Sequence, residues 1–252
     1  VPLTPARPAP WPRALDQEAA AIQAALAAQV VERDEPQPPR LIVALDLGFR
    51  RAEGEERARA AAVVVSFPDL AIVERRVVEE TVRFPYVPGF LAFREAPAML
   101  AVLAALDTTP DLILIDGQGR LHPRRCGIAC HVGVLVDRPT IGCAKALLLR
   151  LTAPPLGPAP GERVPLMQGG ERLGLALRTR RAAQPVYVSV GHRVTLDRAA
   201  DLVWQTCRGY RLPEPLRQAH LLASGHVPPP VAEPPSGQLS LWSDALGSER
   251  NG

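Results

Sequence analysis

Apolar residues at Leu15, Ala19, Ile22, Leu26 and Val30 recur at helical spacing and predict an amphipathic helix from Arg13 to about Val31. The polar, proline-bearing stretch DEPQPPR ends it. LIVALD (41–46) is a short unbroken apolar run, the pattern of a strand buried on both faces. AAAVVVSF (60–67) and LAIVERRVV (70–78), joined at Pro68 and Asp69, predict a hairpin that continues the same sheet. A rigid loop, FPYVPG, leads into a helix from about Phe90 to Leu106, and DLILID (111–116) is a second buried strand. A helical stretch at 123–136, a short strand within PTIGCAKALL, and a strand pair at GLALRTR (174–180) and PVYVSVG (185–191) follow. Thr195 caps a helix over 195–209, and a further short helix begins after Leu212. Buried strands among hairpins and helices predict an α/β domain, a mixed sheet flanked by helices. The proline-rich segments 1–12 and 227–252 are expected to be flexible and disordered ends, leaving one catalytic-sized domain at 13–226.

Length and composition narrow the class. A chain of 252 residues that is 47% hydrophobic buries a substantial core. No apolar run reaches transmembrane length, which excludes a helical membrane protein. The first residues lack the charged-then-apolar order of a signal peptide, so a cytoplasmic location is expected. Four cysteines at 126, 130, 143 and 207 are too few and too clustered for a secreted disulfide framework. A net charge of +3 permits nucleic-acid binding without arguing for it. Lys145 is the only lysine among many arginines, which draws attention to its surroundings. No heptad pattern points to an assembly, and a monomer is expected.

The segment LILIDGQGRLHPRRCGIACH (112–131) suggests two metals. A zinc site would use His122, Cys126, Cys130 and His131, several at i, i+4 spacing. Structural zinc sites usually carry C-x-x-C pairs, and none occurs here, while free cysteines are commonly small buried residues. A magnesium site would use carboxylates. Asp46 and Asp116 each end an apolar strand and precede a glycine-containing loop, the strand-end position where α/β folds place ligands. Either aspartate alone is more readily a turn residue; the pair puts the metal reading at least level with it. Glu95, by spacing alone, is an ordinary helix acid.

Four blocks then acquire a common meaning: LIVALDLGF, FPYVPGFLAFRE, the long stretch from Asp111 to Leu148, and VYVSVGHRVTLDRAADLVWQTCRGYRLPEPLRQAH. Together, from about Leu41 to His220, they resemble the endonuclease V family of deoxyinosine-directed nucleases. The resemblance implies a ribonuclease-H-like fold. It also implies that Asp46, Asp116 and Glu95 are magnesium-binding and catalytic acids, that His192 completes the metal site, and that Lys145 stands at the scissile phosphate. His122 would position substrate, and His131 matches a family histidine that serves equally as a structural residue. Pro85, Tyr86, Val87 and Pro88 match a wedge whose aromatic enters the base stack, with Gly89, Leu91, Gly117 and Ile128 lining a base pocket. Cys130 and Cys143 depart from the residues usual in the family, without touching the proposed ligands. Arg94, Arg120, Arg124 and Arg125 are candidate phosphate contacts, solvated surface charge being the plain alternative.

The implied activity is a magnesium-dependent cut, with manganese able to substitute, at the second phosphodiester bond 3′ to deoxyinosine in DNA. Inosine in RNA is the alternative substrate. A non-catalytic inosine- or structure-binding module is the alternative class, disfavoured because every family acid is present.

Overall fold

A computed structural model describes residues 13–52 and 54–231. The expected flexible segment 1–12 and, beyond residue 231, the expected tail lie outside the described residues.

Among the described residues, eight strands form one mixed sheet in the order β3-β2-β1-β4-β5-β8-β7-β6, with four of five helices packed against it and the N-terminal helix packed on the third. The strands are β1 (Leu41–Ala52), β2 (Glu55–Ser66), β3 (Ile72–Thr81), β4 (Leu112–Ile115), β5 (Thr140–Ala144), β6 (Arg163–Gln168), β7 (Glu171–Leu177) and β8 (Val186–His192). The helices are α1 (Arg13–Ala27), α2 (Leu91–Ala104), α3 (Ile128–Val136), α4 (Leu196–Gln205) and α5 (Glu214–Ala223). β1, β4 and β5 run parallel at the centre, and β1–β2–β3 form an antiparallel meander.

Both faces of the central strands are covered, which is why their sequences read as unbroken apolar runs. Side chains alternate between faces. Ile42, Ala44, Leu112, Leu114, Ile141 and Cys143 pack with α4 and α5. Val43, Leu45, Ile113 and Ile115 pack with α2 and α3 on the other side. Thr195 caps α4 as its position predicts, its hydroxyl accepting from the Arg198 amide at 3.4 Å.

Three local readings change. β1 continues six residues past Asp46, because β2 pairs with it in register as far as Ala52↔Glu55. Its parallel neighbour stops earlier, at Leu45↔Ile115, so the apolar run marks where the sheet covers β1 rather than where the strand ends. The helix expected at 123–136 starts only at Ile128, since Arg125 adopts a left-handed backbone (φ 57°) that a helix does not admit. β6 is an element the hydrophobic pattern does not announce, because Pro165 interrupts it; as an edge strand it tolerates the proline. A signal was available in Gly169 and Gly170, both at positive φ, which turn β6 into β7.

Candidate active site

Strand geometry alone brings the central acids together. Leu45 and Ile115 are the last paired residues of β1 and β4, and the Asp116 amide donates to the Leu45 carbonyl at 3.1 Å. Asp46 and Asp116 are therefore neighbours, and both take the alternate positions that follow Ala44 and Leu114, facing the α4/α5 side. Lys145 continues the same alternation past Ile141 and Cys143 on β5. Its ammonium lies 2.6 Å from Asp116 Oδ2. From α5, on that same face, His220 brings Nδ1 to 2.6 Å from Asp46 Oδ2. The other Asp46 oxygen accepts from the Leu47 amide at 2.7 Å.

Among the described residues, Asp46, Asp116 and His220 form a group whose ligand atoms all lie within 4.8 Å of one another. Glu95, in the second turn of α2 on the opposite face, lies near enough to feel the charges of Asp46 and Asp116. Burial pushes its carboxyl up to about 8, helped by the negative charges of Asp46 and Asp116. Asp116 is likewise raised, to about 6, by burial first and Asp46 second, with Lys145 opposing. Carboxyl groups with raised pKa values in a partly desolvated place are a setting that a bound cation would stabilise.

Magnesium or manganese suits this donor set of two hard carboxylates and an imidazole. One more observation fits a metal: Asp116 Oδ2 is buried and accepts no well-directed hydrogen bond, the nearby ammonium being close but poorly aligned. That oxygen is available as a ligand.

His192 is a correction. It was expected to complete the metal site, but β8 runs antiparallel to β5 and pairs His192 with Thr140, at the opposite end of β5 from Lys145. There its Nε2 lies 3.0 Å from Asp137 Oδ1 and its Nδ1 accepts from the Val31 amide at 3.3 Å. His220 takes the expected place. Its sequence signal is slight, since a histidine in the last turn of a helix is satisfied by the helix dipole alone.

The wedge residues sit on the loop between β3 and α2. Tyr86 is 66% exposed and Pro88 is exposed, while Pro85 and Val87 are half-buried beside them. Gly89 has φ 84°, a backbone that glycine adopts without strain. Leu91, at the start of α2, is exposed. Gly117 follows Asp116 and lies against Ile128: a Cβ built on it would stand 2.4 Å from Ile128 Cγ2, so only glycine fits. His122 lies at the wedge loop, not in the metal group. Its Nδ1 accepts from the Arg124 amide at 3.3 Å, and burial, followed by the charge of Arg124, lowers its pKa to about 4, so it is neutral at neutral pH.

The four candidate arginines are all engaged internally. Arg94 is buried; it donates to the Phe84 carbonyl at 3.0 Å, pairs with Glu56 and stacks over Phe49. Its expected role in contacting phosphate gives way to a structural one. Arg120 pairs with Glu32 and Glu171, and Arg125 pairs with Glu171. Arg124 bonds Gln23 and the Gly89 carbonyl. The zinc alternative fails on geometry. Cys126 precedes α3 and Cys130 lies within it; both are buried, pack with Leu26 of α1, and have thiol pKa values raised by burial. His131 meets the Phe93 ring edge-on at 5.1 Å.

Comparison with known proteins identifies the family. A family model described as endonuclease V matches residues 24–221. An endonuclease V of Roseiflexus castenholzii is 48% identical over 227 residues, covering 90% of this chain and all of the relative. The crystal structure of a Streptomyces avermitilis endonuclease V is 40% identical with a TM-score of 0.77, over 83% of this chain and 92% of that one. A Ciona intestinalis endonuclease V, solved with DNA containing an inosine followed by a ribo-adenosine, is 25% identical with a TM-score of 0.74, over 84% of this chain and 97% of that one. The mixed sheet with its strand-end acids is accordingly the ribonuclease-H-like fold of a nuclease, and the chain belongs to the endonuclease V family.

Proposed function

We propose that this nuclease is a magnesium-dependent endonuclease that recognises deoxyinosine in DNA and cuts the second phosphodiester bond on its 3′ side, as a step in repair of deaminated adenine. The observation that carries the reading is the convergence of Asp46, Asp116, His220 and Lys145 beyond the paired ends of β4 and β5, with Glu95 in their field. The inosine in the DNA bound by the Ciona relative supports the choice of lesion.

Asp46, Asp116 and His220 would hold the ion, with Glu95 beside it. When bound, magnesium supplies Lewis acidity for the attacking water and neutralises charge on the phosphate. Lys145 adds a fixed positive charge, a compact point charge where a forked guanidinium would crowd Asp116. Glu95, with its carboxyl raised to about 8 in spite of the Arg94 charge, favours its protonated form at neutral pH until a metal ion binds. Tyr86 stands exposed on its proline-stiffened loop, shaped to enter the space that an extruded base leaves. Gly117 lets backbone and Ile128 come close enough to form the wall of a base pocket.

The test is incision of matched oligonucleotides with and without inosine, as DNA and as RNA, in magnesium or manganese. Cutting of inosine-containing DNA by the wild type, lost in Asp46→Ala and Asp116→Ala, is expected. No incision by the wild type, or undiminished incision by both variants, would overturn the catalytic reading. A second substrate reading, inosine in RNA, draws on the ribo-adenosine in the Ciona complex, and a faster cut in the RNA strand would favour it.

A further inference from the structure

The N-terminal helix contributes a fully buried amide to the underside of the wedge loop. Gln23, on α1, has no exposed surface. Its Nε2 donates to the Gly89 carbonyl at 3.1 Å and to the Cys126 carbonyl at 3.2 Å. Its Oε1 accepts from Arg124 Nε at 2.5 Å. Arg124 in turn donates through Nη2 to the same Gly89 carbonyl at 2.5 Å, and its guanidinium lies 4.1 Å from the centre of the Phe90 ring. The carbonyl of the residue that ends the wedge loop is thus held by two donors, and Gln23 bonds both to it and to the second donor, Arg124.

This is more than a satisfied core amide requires. A buried glutamine needs partners for its own donors and acceptor, and any backbone groups would serve. Here both ends of the amide are spent on the segments that frame the proposed lesion site: the loop carrying Tyr86 and the turn that leads into α3 and Ile128. Gly89 itself is at φ 84°, a backbone that glycine holds without strain, and the two bonds to its carbonyl fix the loop end in that conformation. Gln23 also lies just upstream of residues 24–221, the span matched to the family.

We propose that Gln23 is a positioning residue for lesion recognition: through Gly89 and Arg124 it holds the Pro85–Gly89 loop in the attitude that lets Tyr86 enter the duplex. A preorganised loop saves the cost of ordering it on binding. Removing the brace therefore weakens capture of the lesion and leaves the strand-end chemistry untouched. The inference rests on the wedge reading of Tyr86.

The experiment uses the full chain with Gln23→Met, which keeps size and removes every hydrogen bond. The readouts are KM and kcat on an inosine-containing duplex, inhibition by a lesion-free duplex, the magnesium concentration at half-maximal rate, and Tm. A rise in KM of about tenfold, or 1.4 kcal/mol, is expected. The other three functional readouts should change by less than about twofold on the same scale. A fall in kcat at unchanged KM, or equal weakening of lesion and lesion-free binding, would overturn the proposal. If Gln23→Met does not fold at the assay temperature, Gln23→Glu keeps an acceptor for Arg124 while losing the donor to Gly89, and the same outcomes apply. Tyr86→Ala runs in parallel. An unchanged KM there refutes the wedge, whereas a raised KM in Tyr86→Ala but not in the Gln23 variants refutes only the brace.

Discussion

His220 and His192 make a crossed prediction, because their settings are opposite. The His220 side chain is 46% exposed and its Nδ1 points at Asp46; that of His192 is 4% exposed and points at Asp137. Truncating His220 to alanine leaves no sealed cavity, so its cost to stability should stay within about 1 kcal/mol. It removes one of three candidate ligands and the bond that orients Asp46, and losses of this kind weaken metal sites by about 10–100-fold. Truncating His192 gives up its 3.0 Å contact with Asp137 and leaves the Val31 amide without its 3.3 Å acceptor. A buried loss of that sort costs about 2–3 kcal/mol, which in a domain of this size lowers Tm by roughly 5–10 °C. The assays are calorimetric titration with manganese, the magnesium dependence of incision, and thermal unfolding. His220→Ala should lose metal affinity with Tm nearly held; His192→Ala should lose Tm with affinity held. Metal affinity lost equally in His192→Ala and His220→Ala would refute the assignment of His220 to the metal site.

The other expectations are narrower. Gly117→Ala forces a methyl group to within 2.4 Å of Ile128 Cγ2, an overpacking worth about 1–3 kcal/mol, and adding Ile128→Ala should recover part of the loss in thermal unfolding. Lys145→Met should slow incision at saturating substrate and metal by about 10²-fold, in line with the loss of a preorganised positive charge at the phosphate; a rate within a few-fold of wild type would rule that role out. Glu74 is held at about 2, chiefly by the Asp107 amide and with Arg76 and Thr108 assisting. Since folding depresses this pKa from 4.5, its stabilisation is complete above pH 4.5 and is lost as pH falls towards 2. Glu74→Gln should therefore lower stability by about 1–2 kcal/mol at neutral pH and flatten the acid limb of a Tm–pH curve; an unchanged curve would count against the network.

Much of the site was legible because it depends on local periodicity. Alternation along a strand fixes which face a side chain takes, so the phase of LIVALD, LILID and TIGCAK already places Asp46, Asp116 and Lys145 on one side of the sheet. The stiffness of the loop around Tyr86 is written in its flanking prolines, whereas the wedge role comes only from the family resemblance. The bounds of elements were less legible. Pro165 hid an edge strand, and a left-handed Arg125 shortened α3 and removed the helical face on which a zinc site had seemed available.

What the sequence by itself determined is the sheet's phase, its twice-buried centre and the acids at its rim, all set by neighbours a few residues away. Only the tertiary structure decided which distant groups meet them. Asp46 and His220 are 174 residues apart, and Gln23 and Cys126 are 103 apart. No spacing rule connects such pairs; α5 and α1 must first dock on the sheet and on α3. The same holds for the arginines, whose charge is plain in the sequence but whose partners Glu56, Glu32, Glu171 and Gln23 are supplied by folding. Hydrogen-bond partners depend on long-range packing, and packing is what one-dimensional periodicity leaves open.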